Sequence, residues 1–202
     1  LFKAEQQRTA ELEIINSIQQ GLAAALDFQT IVDLVGDKLR EVFHTLDISI
    51  IWYNESTGLY HFLYAYEHGK RINIPAQDLN FPPFDEVLNS KKLWVDNTDP
   101  ANTNVHPLYG DLSKCIAMAP IVSSNRSIGI LCLEDHEQEN AFGESEIRLL
   151  ATVAASMGVA LENARLFAET QRLLKETQRD LPSGAGRPEL PRHRRARVIR
   201  RP

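Results

Sequence analysis

From Glu144 to about residue 179 no proline interrupts the chain, and Ile147, Leu150, Ala154, Met157, Leu161, Ala164 and Ala168 recur at alternating spacings of three and four. This pattern predicts one helix over 144–179. At 1.5 Å per residue such a helix is about 50 Å long, more than a domain of this size is wide. Its C-terminal part is therefore expected to leave the globule, and Leu166, Phe167, Leu173 and Leu174 there call for a partner helix. Met157, Leu161, Ala164, Phe167 and Leu174 are the expected seam of a dimer built on this helix.

What precedes the helix is mixed. Leu12, Ile15, Ile18, Leu22 and Leu26 make residues 2–26 an amphipathic helix. Asp27 can cap a second one, its carboxylate accepting from the backbone N–H of Gln29 or Thr30, with Ile31, Leu34, Val35, Leu39 and Val42 as the apolar stripe. The pattern then turns strand-like at Ile48–Tyr53, followed by a turn at 54–58 and a return strand over Leu59–Tyr66. An Ile72/Ile74 extended piece, a proline-marked loop, a short helix near Phe84–Asn89 and a strand at Leu93-Trp94-Val95 come next. Residues 96–111, dense in Asp, Asn, Thr and Pro, form a long loop of the kind that carries function. Lys114–Val122 and Ser127–Glu134, joined by Ser123-Ser124-Asn125-Arg126, are the clearest hairpin.

Composition narrows the class. The 202 residues are 43% hydrophobic, enough for one domain with its own core, and no run approaches the roughly 18 consecutive apolar residues of a membrane span. The net charge of −5 hides an asymmetry. Residues 181–202 carry seven Arg and one Glu, leaving 15 basic against 26 acidic residues elsewhere, and an acidic surface disfavours nucleic acid. That tail, with four Pro and two Gly, reads as disordered: a solvated linker or a non-native end rather than a nucleic-acid arm. The start, without Met or a signal-peptide pattern, suggests a fragment of a longer protein. Cys115 and Cys132 sit inside apolar runs, which argues against a disulfide framework and for a reducing, cytoplasmic setting.

Two stretches carry a family resemblance. Ala119-Pro120-Ile121 with Arg126-Ser127-Ile128-Gly129-Ile130-Leu131-Cys132-Leu133, and then Ala141-Phe142 through Glu146 and Leu149-Leu150 to Ala160-Leu161-Glu162-Asn163-Ala164-Arg165-Leu166, resemble the GAF domain family. Trp94–Pro100 is similar to the family's strand-to-loop segment, and the order of elements extends the likeness over about residues 10–170. The resemblance implies an α+β fold: a central antiparallel sheet with the N- and C-terminal helices on one face and an irregular ligand-pocket segment, 75–112, over the other. The expected organisation is an N-terminal signalling helix (1–26), the GAF domain (27–165), a coiled-coil extension (166–180) and the tail. Leu1–Arg8 also resembles Leu166–Arg172, as a tandem array of such domains would produce. Independently of family, Gly129 marks a close backbone approach and Pro120 a strand end or edge.

The resemblance implies a sensor of an unidentified small molecule, dimeric through its end helices and coupled to an output domain such as a kinase or cyclase. The alternatives are a ligand-free dimerisation spacer and a GAF-fold methionine sulfoxide reductase, which needs accessible, activated thiols. Position in the expected topology nominates Trp94, Asp96, His106 and Tyr109 for the pocket, with Tyr64, Phe84 and Met118 as lining. Cys115 is the residue able to anchor a bilin, but no Cys-His dipeptide follows it, and Phe84-Asp85-Glu86 resembles only part of a cyclic-nucleotide motif. No phosphate loop, catalytic triad or nucleophile elbow is present, and the six histidines show no pairing at metal-ligand spacing, so neither a cofactor nor a metal is expected.

Overall fold

The computed structural model describes residues 2–25, 27–43, 47–97 and 111–180. The elements are α1 (Phe2–Ala24), α2 (Phe28–Val42), β1 (Asp47–Asn54), β2 (Leu59–Glu67), β3 (Lys70–Arg71), α3 (Pro82–Ser90), β4 (Trp94–Asp96), β5 (Cys115–Ser123), β6 (Arg126–Asp135) and α4 (Glu144–Asp180). The chain divides into two units, one ending at Ala168 and one beginning at Glu169. Within the described residues the second unit holds only the last turns of α4, where Leu173 and Leu174 are exposed.

In the first unit six antiparallel strands form one sheet in the order β3-β2-β1-β6-β5-β4. The hairpin foreseen between β5 and β6 closes through Ser124 and Asn125, both with positive φ (47° and 63°), the backbone twist that suits a two-residue hairpin loop. β1 lies between β2 and β6, so the first strand of the chain is central and the last strand pairs beside it. Pro120 sits beyond the last β4 partner of β5, where the strand has become an edge, and its missing N–H breaks no pairing on that side.

α1, α2 and α4 cover one face of the sheet. Asp27 caps α2 by accepting from the backbone N–H of Thr30 at 2.9 Å, and Ile31, Val32, Val35 and Leu39 point inward. They join Ile48 and Ile50 of β1, Leu131 and Leu133 of β6, and Leu150, Val153 and Met157 of α4 in one continuous apolar cluster. Gly158 lets α4 approach closely: a Cβ there would lie 2.1 Å from the Val122 carbonyl oxygen of β5. The Gly129 position likewise meets the Ile51 carbonyl of β1 at 2.3 Å, so the neighbour for which it makes room is a strand. Within Glu144–Thr177 an 18-residue window is long and apolar enough to match a membrane span, with a mean hydropathy of 1.2, although runs of consecutive apolar residues predict no span; half of that window is buried in the fold as core.

Burial of α4 corrects part of the expected dimer seam. Met157, Leu161 and Ala164 belong to the domain's own core, because their stripe meets the sheet and α1 before any second chain can reach it. Phe167, 43% exposed, and Leu174, 52% exposed, remain on the surface.

Candidate ligand-binding face

Strand residues alternate between faces, so the side of the sheet away from α1, α2 and α4 receives every second residue. β1 contributes Ile51, Ser49 and Asp47; β5 contributes Met118 and Ile116; β6 contributes Ile130, Cys132 and Glu134. A β-bulge between Ile50 and Ile51 changes the parity of β2. Tyr60 and Phe62 stay on this face, whereas Tyr64 turns to the helix side. There Tyr64 stacks over Gly36, donates to Asp37 Oδ1 at 2.8 Å, and packs in the helix-side core. Tyr64 is therefore core under α2 and lines nothing on the opposite face.

α3 roofs part of the second face. Pro82 occupies its first turn, where an N–H is dispensable, and Lys91 closes it in the left-handed region (φ 55°), its N–H donating to the Val87 carbonyl. Phe84 and Val87 of α3, with Leu79 and Phe81 before it, pack onto Ile51, Tyr60, Met118, Ile130 and Cys132. Tyr60 and Phe84 lie 5.5 Å apart by ring centroid and Phe81 meets Phe84 edge-on at 5.0 Å. The Tyr60 hydroxyl donates to Asp85 Oδ1 at 3.0 Å; burial, and then the Asp85 carboxylate, push it well above the usual phenol range.

Beyond this apolar half the same face becomes polar. Glu134 follows Cys132 on its side of β6 and pairs across the sheet with Asp47 at the start of β1. Burial pushes the Glu134 carboxyl up from its ordinary value, against the opposing pull of His136 and of a hydrogen bond from Ser113. For Asp47 burial also raises the value, but His136 and the backbone N–H groups of His68 and Gly69 outweigh it and hold the carboxylate low. His68 N donates to Asp47 Oδ2 at 2.8 Å. His136 Nδ1 lies 3.1 Å from the same oxygen, and the Asp47 carboxylate pushes this imidazole up. The rings of His68 and His136 are 4.9 Å apart by centroid.

Of the nominated pocket residues, Trp94, Phe84 and Met118 meet in or against the apolar half. Asp96 pairs with Ile116 at the end of β4, on the side of the strand that Trp94 shares. His106 and Tyr109 lie outside the described residues. Sequence reasoning missed Asp47, Glu134, His68 and His136, which are separated by up to 89 positions; the adjacency of β1 and β6 and the turn between β2 and β3 bring them together. A separate cleft of about 550 Å³ opens on the helix side, walled by Phe28, Trp52, Ile128 and Leu161. At its rim Glu162 accepts from Ser123 and Ser124 and pairs with Arg165 at 2.9 Å, contacts that lower its carboxyl to about 2.

A family model described as the GAF domain matches residues 25–162, from the cap of α2 into α4. The chain belongs to the GAF domain family. The formate hydrogenlyase transcriptional activator of Salmonella typhimurium is 22% identical over 169 residues, which cover 79% of this chain and 24% of that protein. This chain thus spans about a quarter of the length of that relative. Among solved structures, the GAF domain of an Acinetobacter phosphoenolpyruvate-protein phosphotransferase matches with a TM-score of 0.61 at 14% identity, covering 78% of this chain and 95% of that one. The free methionine-R-sulfoxide reductase of Neisseria meningitidis, solved with its substrate, matches with 0.66 at 17%, covering 77% and 90%. These likenesses show the GAF fold, which members use for regulation and, in the reductase, for catalysis.

The thiols bear on that distinction. Burial pushes Cys115 up, and its Sγ donates to the Gln138 carbonyl at 3.2 Å on the helix side of the sheet. Cys132 is pushed up further, by burial and then by Glu134. A redox-active cysteine needs an exposed, electropositive setting that favours thiolate, and both of these have the reverse.

Proposed function

We propose that this GAF domain is a non-catalytic sensor in a cytoplasmic regulatory protein. It takes a small polar molecule at the Asp47–Glu134–His136 end of its second face and passes the response through its end helices to an output domain. The observation that carries this reading is Glu134: a half-buried carboxyl, pushed up by desolvation and set where the apolar packing stops. A ligand rich in N–H or O–H donors would offset that desolvation. The transcriptional activator among the relatives, of which this chain spans about a quarter, supports a regulatory role within a longer protein. The two free, buried cysteines fit a reducing compartment.

Exposed Leu166, Phe167, Leu173 and Leu174 support a homodimer formed through α4. A thermal-shift screen with amino acids, nucleotides and other polar metabolites tests the sensing. One compound should raise the melting temperature of the native chain and leave that of Glu134→Gln unmoved; a screen without any response would overturn it. Phe167→Glu should shift sedimentation from dimer to monomer, and an unchanged dimer would remove α4 as the interface.

The packing of Phe81, Phe84 and Met118 against the sheet favours a second reading, a ligand-free dimerisation spacer. The same screen separates the two.

A further inference from the structure

We infer that Asp47, His68 and His136 form a binding site for a first-row divalent cation of the Zn2+ type. Asp47 opens β1, His136 follows the end of β6, and His68 occupies the turn between β2 and β3 with a positive φ of 49°. The antiparallel register brings the beginning of β1 and the end of β6 to the same end of the sheet, and the β2–β3 turn closes over them. One ligand atom from each of the three residues lies within 4.8 Å of the other two. Ligands about 2.1 Å from a common ion stand roughly 3–4 Å apart, so small side-chain rotations close such a site.

His136 supplies the independent sign. Its side chain is 8% exposed and that of Asp47 10%. His136 Nδ1 is fully buried and lies 3.1 Å from Asp47 Oδ2, yet it has no aligned hydrogen-bond partner. A buried, unsatisfied imidazole nitrogen beside a carboxylate oxygen is the pair of donors a Lewis acid takes.

The surrounding contacts match those that hold ligating histidines. His136 Nε2 lies 3.3 Å from the Asp111 backbone oxygen, and His68 Nε2 lies 3.2 Å from the Asp111 carboxylate. Each ring thus has one nitrogen engaged at Asp111 and Nδ1 as its second, the arrangement by which an outer carboxylate or carbonyl fixes the tautomer of a metal-binding imidazole. Glu67, which accepts from Asp111 N at 2.8 Å, adds negative charge. Entry is from the solvent side, where the His68 and Asp111 side chains are 51% and 79% exposed. Two imidazoles and one carboxylate leave a coordination position open to water or to an added donor.

This cation site adds to the sensing proposal without depending on it, because it is tested with no small molecule present. The full chain, stripped with chelator, is titrated with Zn2+ by calorimetry and with Co2+ by visible absorption. Expected are one-to-one binding, a rise in melting temperature with Zn2+, and Co2+ ligand-field bands. His136→Gln and His68→Gln should each weaken binding by about tenfold or more, while His61→Gln on β2 should leave it unchanged. His68 is half exposed, so its variant folds and keeps the test open even if His136→Gln does not. Absence of binding, or binding unaltered in both variants, overturns the site and shows Asp47 and His136 to be a structural ion pair only.

Discussion

Alternate residues of the same strands build two unlike surfaces. The helix side is a single apolar cluster running from Ile18 of α1 to Ala164 of α4, and its prominent polar group, the Tyr64 hydroxyl, is partnered by Asp37. The other side has a smaller apolar cluster under α3 that gives way, two residues beyond Cys132, to Glu134, Asp47 and two histidines. Three helices bury enough apolar surface on one face to hold the fold, which leaves the opposite face free to carry charges that weaken it. Stability and chemistry are thus separated by the pleat of the sheet rather than by distance along the chain.

Neighbouring residues on β6 provide the sharpest test. Leu131 and Ile130 are both fully buried but lie in the helix-side and α3-side clusters respectively. Leu131→Ala should cost about 4 kcal/mol in urea unfolding and Ile130→Ala about 2–3 kcal/mol, because the cluster under α3 is smaller and can collapse around the gap. Equal losses would break the contrast. Tyr64→Phe should cost about 1 kcal/mol, since it removes the hydroxyl's bond to the Asp37 carboxylate, which is exposed and takes water in its place, while leaving the ring packing intact.

The smallest expected effect has the opposite sign. Glu134 has its folded-state value raised, so the folded protein binds the proton more tightly than the unfolded chain does. The destabilisation is absent below the unfolded value near 4.5, grows as pH rises toward the folded one, and is complete above it. In metal-free buffer Glu134→Gln should melt higher than the native chain at pH 8 and at the same temperature at pH 4. A variant that melts lower at pH 8 would show the carboxylate to be structural.

Much of the architecture was legible because it rests on local periodicity and turn chemistry: the Asp27 cap, the Ser124–Asn125 hairpin and the long α4 follow from their own residues. The faces were less so. Alternation along β2 from Tyr60 and Phe62 carries Tyr64 onto the second face, but the bulge opposite Ile50 and Ile51 inserts one residue and reverses it. The spacing of Met157, Leu161 and Ala164 marks an apolar stripe without naming its partner, which proved to be the domain itself. The polar end was illegible, because strand pairing between the two ends of the domain brings its members together and no short motif announces that.

Gly158 has a mechanical consequence. Sliding α4 along its axis by a single residue would put Met157 or Val159 where the Val122 carbonyl leaves room only for a hydrogen atom. The contact acts as a detent: the buried portion of α4 cannot creep past β5, so helix and strand must shift as one rigid lever. A displacement of β5 at Val122 therefore meets the backbone of α4 directly, with no side chain between them to give way.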